Sequence, residues 1–417
     1  MLDRYVTDLQ AVERAQRSGV AAHLAGFAAE LKAAGFRPRS IQNHLLATVH
    51  LGCWAESDGL WITELDETAV MRFSNHLPSC QCIGPPPTRS YTTRTQAGAR
   101  RFLRYLGRAG VVSATDPALV TASEPALLTA FRDWMQHHRG VTETTLRIYG
   151  RIVTQALQVL GEDPQSYDAR GLRSFVLEGS QRHGSSKAKL VMTAMRTFVR
   201  YLVAQGRCRA ALVDAIPTIA RWRLATLPRY LPAGDVERIV AACDPSTPVG
   251  ARDRAILLLL ARLGLRAGDI AALGRADLNW DQATISVCGK GRRAVHLPLP
   301  QDVGDAILHY LRHGRPPVDA DPLFLRATAP WGGLAIHGTV SSIVERAIQR
   351  AGVESTSRGA HVLRHSAATE LLRQGVSLDT IGALLRHRSV ETTALYAKVD
   401  VTRLREIALP WPEVSPG

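Results

Sequence analysis

Three groups of residues in the second half of the chain carry side chains that could act together on a phosphate ester. Arg266 follows a Gly-Leu pair at a predicted helix start, and Lys290 lies between two glycines in a predicted hairpin turn. The third group, over residues 361–396, combines histidines and arginines with a tyrosine at its end. The candidate catalytic residues are Arg266, Lys290, His361, Arg364, His387 and Tyr396.

A tyrosine among cations can act as a nucleophile. Its ordinary pKa near 10 makes the phenol unreactive at neutral pH unless nearby cations stabilise the phenolate. An arginine fork binds the two non-bridging oxygens of a phosphodiester, and fixed donors stabilise the charge that those oxygens gain in the transition state. The sequence lacks an Asp/Glu cluster of the two-metal type beside these residues, which argues against a metal-dependent nuclease.

These residues, in this order, make the sequence similar to the tyrosine recombinases of the phage-integrase type, over residues 228–402. Two positions depart from the usual pattern of that family. Arg386 stands where family members usually have glycine, directly before the second histidine. Asp269 stands where they usually have glutamate, three residues beyond the first arginine. Asp269 could still orient Arg266 or the neighbouring backbone, although its side chain is shorter by one methylene.

The resemblance implies a role for each matching residue. Arg266 and Arg364 would hold the scissile phosphate, and His387 would donate a hydrogen bond to it. No metal, cofactor or ATP would be needed, since the resulting covalent link conserves the energy of the phosphodiester.

Three further roles concern bond breaking and proton transfer. Tyr396 would attack the phosphate and form a 3′-phosphotyrosyl link. Lys290 would give a proton to the leaving 5′ oxygen, and His361 would assist proton transfer to and from the tyrosine.

Each residue taken alone is more often structural: a packed histidine, a half-buried helix tyrosine or a surface arginine. The combination in the family's order and spacing changes this balance in favour of chemistry. The histidines outside the pattern, which we expect to be structural or exposed, are His296, His309, His313 and His337.

The elements that must position these residues follow from the periodicity of apolar residues. Helical spacing covers most of the first 205 residues. Beyond residue 228, a hairpin over 284–287 and 294–297 interrupts further helices. The helices predicted there cover residues 235–242, 254–263, 267–273, 338–351, 361–374, 378–385 and 390–397. The fold class is therefore mainly α, with a small β-sheet in a mixed α/β catalytic domain.

Breaks rich in proline and polar residues suggest the domain boundaries. We predict an N-terminal helical extension (1–112), a helical core-binding domain (123–206), a basic linker (207–227), the catalytic domain (228–402) and a C-terminal tail (403–417). The core-binding assignment rests on the resemblance, which implies a clamp around DNA. Similar apolar patterns in 1–112 and 123–206 suggest a duplicated module, with chance similarity of amphipathic helices as the alternative. The extension could bind flanking DNA or serve assembly only.

Basic residues outside the pocket are candidates for contact with DNA phosphates. Their alternative is an ordinary solvated surface. They are Lys187, Lys189, Arg196 and Arg200 in the core-binding domain, Arg221 and Arg223 in the linker, and Arg292 and Arg293 beside the hairpin turn.

Composition supports a polyanionic partner. The 417 residues include 51 Lys+Arg and 37 Asp+Glu, a formal net charge of +14. An apolar share of 46% with 21% charged residues excludes a disordered chain and a polytopic membrane protein. The first residues lack the apolar core of a signal peptide. We therefore expect a cytoplasmic, nucleoid-associated protein that does not bind membranes.

Six cysteines are too few and too scattered for a disulfide framework. A zinc site of Cys53, His76, Cys80 and Cys82, with His50 nearby, is conceivable, but the spacing is irregular. Packing cysteines are the preferred interpretation, and we predict no metal.

These observations predict a site-specific DNA recombinase that acts on double-stranded DNA, for integration, excision or transposition of a mobile element. The resemblance implies a homotetramer, or a hetero-oligomer with related recombinases, in which the tail docks on a neighbouring protomer. Resolution of chromosome or plasmid dimers uses the same residues and is the alternative. A non-catalytic DNA-binding regulator is a third interpretation, which the intact set of catalytic residues disfavours.

Overall fold

The computed structural model describes residues 5, 13, 16–80, 89–112, 125–181, 185–218, 228–288, 294–334, 337–387 and 389–397. Several predicted functional residues lie outside the described residues: Lys290, Arg221, Arg223, Arg292, Arg293 and the tail over 403–417.

The chain divides into two compact units. The first comprises Met1–Ser57, Cys80–Phe102 and Arg223–Gly417, and the second comprises Asp58–Ser79 and Leu103–Trp222. The candidate catalytic residues all belong to the first unit.

The N-terminal helices follow the apolar spacing of the sequence. They are α1 (Ala21–Ala33), α2 (Pro38–Ser57), α3 (Glu67–His76) and α4 (Arg89–Arg108). In the first unit, Phe27 of α1 is fully buried and its ring meets Phe102 of α4 edge to face, with centroids 5.3 Å apart. This aromatic pair joins α1 to α4.

The second unit is built mainly from α5 (Ala126–Arg139), α6 (Glu143–Leu160), α7 (Ala169–Gln181) and α8 (Ser185–Ala204). An aromatic cluster joins the first and last of these helices. The ring centroid of Phe131 lies 5.2 Å from that of Phe198 and 5.5 Å from that of Tyr201. Helix α5 ends where Gly140 adopts the left-handed conformation, with φ of 53°.

The remaining helices belong to the first unit. They are α9 (Ala233–Ala241), α10 (Pro248–Leu263), α11 (Ala267–Ala272), α12 (Gln301–His309), α13 (His337–Arg350), α14 (His361–Arg373), α15 (Leu378–Leu384) and α16 (Val390–Ala397). Helix α10 is apolar on all sides and packs against α9, α12, α13 and α14. It is the central helix of this core.

A small antiparallel sheet has the strand order β1 (Leu278–Asn279), β2 (Thr284–Cys288) and β3 (Ala294–Pro298). Ile285 pairs with Leu297, and both are buried. Ser286, on the opposite face, has its Oγ 2.9 Å from Nδ1 of His296. The period of two in the sequence therefore reflects one buried and one exposed face.

The structure confirms the predicted fold class, the hairpin and the predicted helices of the second half, within a few residues at their ends and with residues 254–263 extended to 248–263. Helix α12 was not predicted. It is nine residues long, follows Pro298 and Pro300, contains Gly304, and buries only Val303 and Ile307. So short an apolar pattern gives a weak periodic signal. The domain boundaries and the duplication stay predictions.

No helix among the described residues is both long enough and apolar enough to cross a membrane.

Candidate active site

Arg266 is positioned by the turn between α10 and α11. Gly264 caps α10 with φ of 56°, and a Cβ there would lie 2.5 Å from Cδ2 of Leu385. Only glycine fits this turn without strain. Arg266, at the N-cap of α11, donates from Nη2 to the Arg386 carbonyl at 2.7 Å, and its Nη1 lies 3.9 Å from Oδ2 of Asp269.

Arg364 lies on the first turn of α14 and is only 4% exposed. Its two terminal nitrogens donate to the carbonyls of Gly264 and Leu385. These bonds connect α14 to the ends of α10 and α15. Burial lowers the pKa of Arg364 to about 10, and the positive charge of Arg266 acts in the same direction. The two arginines therefore act on one small volume.

Tyr396, on α16, is 1% exposed, and its Oη lies 2.8 Å from Nδ1 of His365. Burial raises the pKa of Tyr396 to about 12, although the charge of Arg364 acts in the opposite direction. Burial, followed by the charges of His361 and Arg364, lowers the pKa of His365 to about 4. At neutral pH the phenol is protonated and the imidazole is neutral, so the imidazole can accept the phenol proton.

His387 lies between α15 and α16. Its Nδ1 is 2.8 Å from Oγ1 of Thr393, which is buried, and its ring is parallel to that of Tyr396 within 7°. Burial, and then the charges of Arg364 and Arg266, lower the pKa of His387 to about 4. Thr393 thus holds the ring through one nitrogen, which leaves Nε2 on the opposite side of the ring for another partner.

His361 is exposed at the start of α14, and its ring centroid lies 6.1 Å from that of His365. Proton transfer at the tyrosine was predicted for His361, whereas the structure brings His365 to hydrogen-bond distance of the hydroxyl. His365 follows Arg364 directly and lies one helical turn after His361. This position within the motif is the signal from which the sequence could have indicated His365.

The two departures from the family pattern contact each other. Arg386 has φ of 54°, the left-handed conformation that glycine adopts freely. Its Nη2 donates to Oδ2 of Asp269 at 2.5 Å, and both side chains are about nine-tenths buried, at 8% and 11% exposed. Asp269 therefore faces two guanidinium groups. This setting favours an anion beside the arginines over a divalent cation.

The predicted DNA contacts in the second unit have different surroundings. Lys187, Lys189 and Arg200 are exposed on α8. Arg196 is half-buried, and its Nη2 donates to the carbonyls of Ile216 and Pro217 at 2.8 and 3.3 Å. Arg196 thus fastens the segment that follows α8.

The cysteine and histidine residues near position 50 lie far from the catalytic residues along the chain. His50 is buried, with Nε2 at 3.2 Å from Sγ of Cys80 and Nδ1 at 3.2 Å from Oη of Tyr91. Both ring nitrogens are at hydrogen-bond distance of protein atoms. Cys82 lies outside the described residues.

Comparisons with known proteins agree with this geometry. The model of the phage integrase family matches residues 229–403. The integrase/recombinase-type protein y4rA of Sinorhizobium fredii (strain NBRC 101917 / NGR234) is 33% identical over 411 residues, which cover 96% of this chain and 97% of y4rA. Tyrosine recombinase XerD of Ralstonia nicotianae (strain ATCC BAA-1114 / GMI1000) is 31% identical over 286 residues, or 66% of this chain and 89% of XerD.

A solved structure shares the fold. The post-cleavage complex of the XerH site-specific recombinase with a palindromic difH substrate has a TM-score of 0.53 at 21% identity, and the match covers 73% of this chain and 92% of XerH. The family predicted from the sequence is thus confirmed. The chain belongs to the phage integrase family of tyrosine recombinases.

Proposed function

We propose that this protein is a site-specific DNA recombinase that breaks and rejoins DNA strands through a covalent link to Tyr396. The observation that carries the proposal is the 2.8 Å approach of the Tyr396 hydroxyl to His365, beside two buried or half-buried arginines, Arg266 and Arg364. A nucleophile, a base and two anion-binding groups at one place are the parts that phosphoryl transfer requires.

In the proposed reaction, Oη of Tyr396 attacks the phosphorus of the scissile phosphodiester. The phenol proton passes to His365, the P–O5′ bond breaks, and Lys290 protonates the leaving 5′ oxygen. The product is a 3′-phosphotyrosyl link and a 5′-hydroxyl. A 5′-hydroxyl of the same or another strand attacks the link, returns the proton to the tyrosine and reseals the DNA. One ester replaces another, so neither ATP nor a metal is needed.

DNA itself would activate the nucleophile. The pKa of His365 is held near 4 partly by the charges of His361 and Arg364, and a phosphate bound by Arg364 offsets part of that charge. His365 then becomes a stronger base when DNA is bound. A phenol with a pKa of about 12 would otherwise rarely lose its proton at neutral pH.

The proposed partner is double-stranded DNA, and the proposed assembly is a tetramer on two paired duplexes. Each chain has one Tyr396 and cuts one strand, whereas exchange between two duplexes involves four strands. The basic residues predicted to follow the DNA backbone would then make binding strongly dependent on salt.

For the biological role, we propose integration, excision or transposition of a mobile element. The support comes from the N-terminal residues. The match to y4rA spans 96% of this chain, whereas the match to XerD spans 66%. The extended architecture is therefore shared with a protein named as an integrase.

Covalent capture tests this function on a DNA mixture that contains the target site among all others. Purified protein is incubated with fragmented genomic DNA of the source organism in EDTA without ATP, and SDS-resistant adducts are captured and sequenced. We expect adducts with the wild type, linked at Tyr396 by mass spectrometry, and none with Tyr396→Phe. Adducts that persist in Tyr396→Phe would contradict the nucleophile, and no adduct with wild type would contradict the enzyme.

The captured sequences also test the biological role. We expect cleavage at the ends of a mobile element or its insertion site. Cleavage at one fixed chromosomal or plasmid site without an associated element would instead support dimer resolution.

A further inference from the structure

Arg386 has two buried hydrogen-bond donors that the protein does not use. Its side chain is 8% exposed, and its Nη2 is bound to Asp269. Among the residues that the structure describes, Nε and Nη1 have no hydrogen-bond partner. Buried charged donors without acceptors are unfavourable, so a chain that keeps them here is arranged for an acceptor that arrives from outside.

The surroundings of these donors identify the chemistry of that acceptor. Three guanidinium groups (Arg266, Arg364 and Arg386) share the carboxylate of Asp269, so positive charge is in excess. The charge of Arg386 also acts on Arg364, because it lowers the pKa of that group. An anion with several acceptor oxygens satisfies both the excess charge and the unused donors.

The backbone at Arg386 points in the same direction. A non-glycine residue in the left-handed conformation costs roughly 1–2 kcal/mol, a cost that glycine at this position would avoid. The shorter side chain of Asp269 leaves room for the guanidinium beside it. The bond from Arg266 to the Arg386 carbonyl then fixes the main chain from which this side chain extends.

We infer that Arg386 is a third phosphate-binding arginine of the active site: Asp269 holds its Nη2, and its Nε and Nη1 donate to phosphate oxygens of the bound DNA. The inference rests on the proposed function and adds to it a residue that the family pattern does not contain. Arg386 then stabilises the charge that develops during attack by Tyr396.

The salt dependence of DNA binding tests the contact directly and needs no cleavage. A mixed-sequence duplex is titrated at several salt concentrations in the Tyr396→Phe background. Asp269→Asn is compared with Asp269→Asn/Arg386→Gly, so that the carboxylate is absent from both proteins and glycine suits the backbone. We expect the double substitution to reduce the log–log slope by about 0.9, the value of one phosphate contact.

Arg262 provides the matched control, because its guanidinium pairs with Glu237 and Asp302 on the surface. Arg262→Gln removes the same charge and should leave the slope unchanged. Equal slopes for the two Asp269→Asn proteins would overturn the inference. Urea unfolding of each variant verifies that binding is measured on folded protein.

Cleavage gives the second measurement. With the captured DNA, we expect Arg386→Gly to form the phosphotyrosyl adduct about 10²-fold more slowly than wild type, the usual effect of losing one donor to a developing anion. Arg386→Gly/Asp269→Glu, which restores the family's residues, should remain slow. Wild-type rates in both variants would assign Arg386 a structural role only. Failure of the wild type to form any adduct would instead refute the proposed function, while the slope comparison would still decide the contact.

Discussion

The hydroxyl of Tyr396 and Nδ1 of His365 lie 2.8 Å apart, on two helices whose sequence positions differ by 31 residues. The pair is buried, and both groups are neutral at pH 7 because burial shifts their pKa values in opposite directions. His365 is thus the described histidine best placed to take the proton from the nucleophile.

We predict that His365→Gln slows formation of the phosphotyrosyl adduct by about 10²-fold or more, since a positioned general base contributes roughly 10²–10⁴. Single-turnover assays with captured DNA give the rate. His309→Gln is the control, because His309 is bonded to the Pro245 carbonyl away from the site. A wild-type rate in His365→Gln would mean that another group takes the proton.

The second prediction concerns stability against pH. His365 and His387 have pKa values of about 4 in the folded protein, below the ordinary 6.5, so the unfolded chain binds more protons in this range. Their contribution to the free energy of unfolding is complete above pH 6.5 and is lost as the pH falls toward 4. Urea unfolding at pH 7.5, 6 and 5 should therefore show the wild type losing more stability than His365→Gln/His387→Gln. Parallel losses would show that these histidines are not held neutral.

We next predict that Gly264→Ala destabilises the protein by more than the left-handed conformation alone. The backbone cost is roughly 1–2 kcal/mol, and the clash with Leu385 adds roughly 1–3 kcal/mol. Gly352 is the matched control, because its φ is 60° and an added Cβ there meets nothing within 4 Å. Urea unfolding should rank Gly264→Ala below Gly352→Ala in stability, and equal losses would contradict the close packing at Gly264.

Thr393 is predicted to position His387. Thr393→Val removes the hydroxyl at 2.8 Å from Nδ1 and leaves that nitrogen without its partner, whereas Thr393→Ser keeps it. We expect adduct formation to slow about 10-fold in Thr393→Val, in line with a lost hydrogen bond of about 1.4 kcal/mol, and to recover in Thr393→Ser. Equal rates in the two variants would remove the hydroxyl from the mechanism.

Much of the fold was predictable because its signals are local. Helix α14 and the hairpin of β2 and β3 follow from the period of their apolar residues, and Gly264 marks the end of α10. Helix α12 escaped prediction because only two of its residues are buried, so its periodicity is weak.

The site was predictable as a set of residues but not as a set of contacts. Arg386 and Asp269 were each identifiable as departures from a pattern, yet 117 positions separate them and only folding brings them together. The partner of Tyr396 could not be chosen between His361 and His365 from spacing, because residues four apart occupy the same face of a helix. Burial decides between them.

The aim of Arg364 is set by main-chain carbonyls, those of Gly264 and Leu385, and not by the side chains at these positions. Directed evolution toward new DNA targets can therefore alter side chains around Arg364 without redirecting it, provided that the two backbone turns keep their course. Insertions or deletions within these turns are the changes that a recombinase library should avoid.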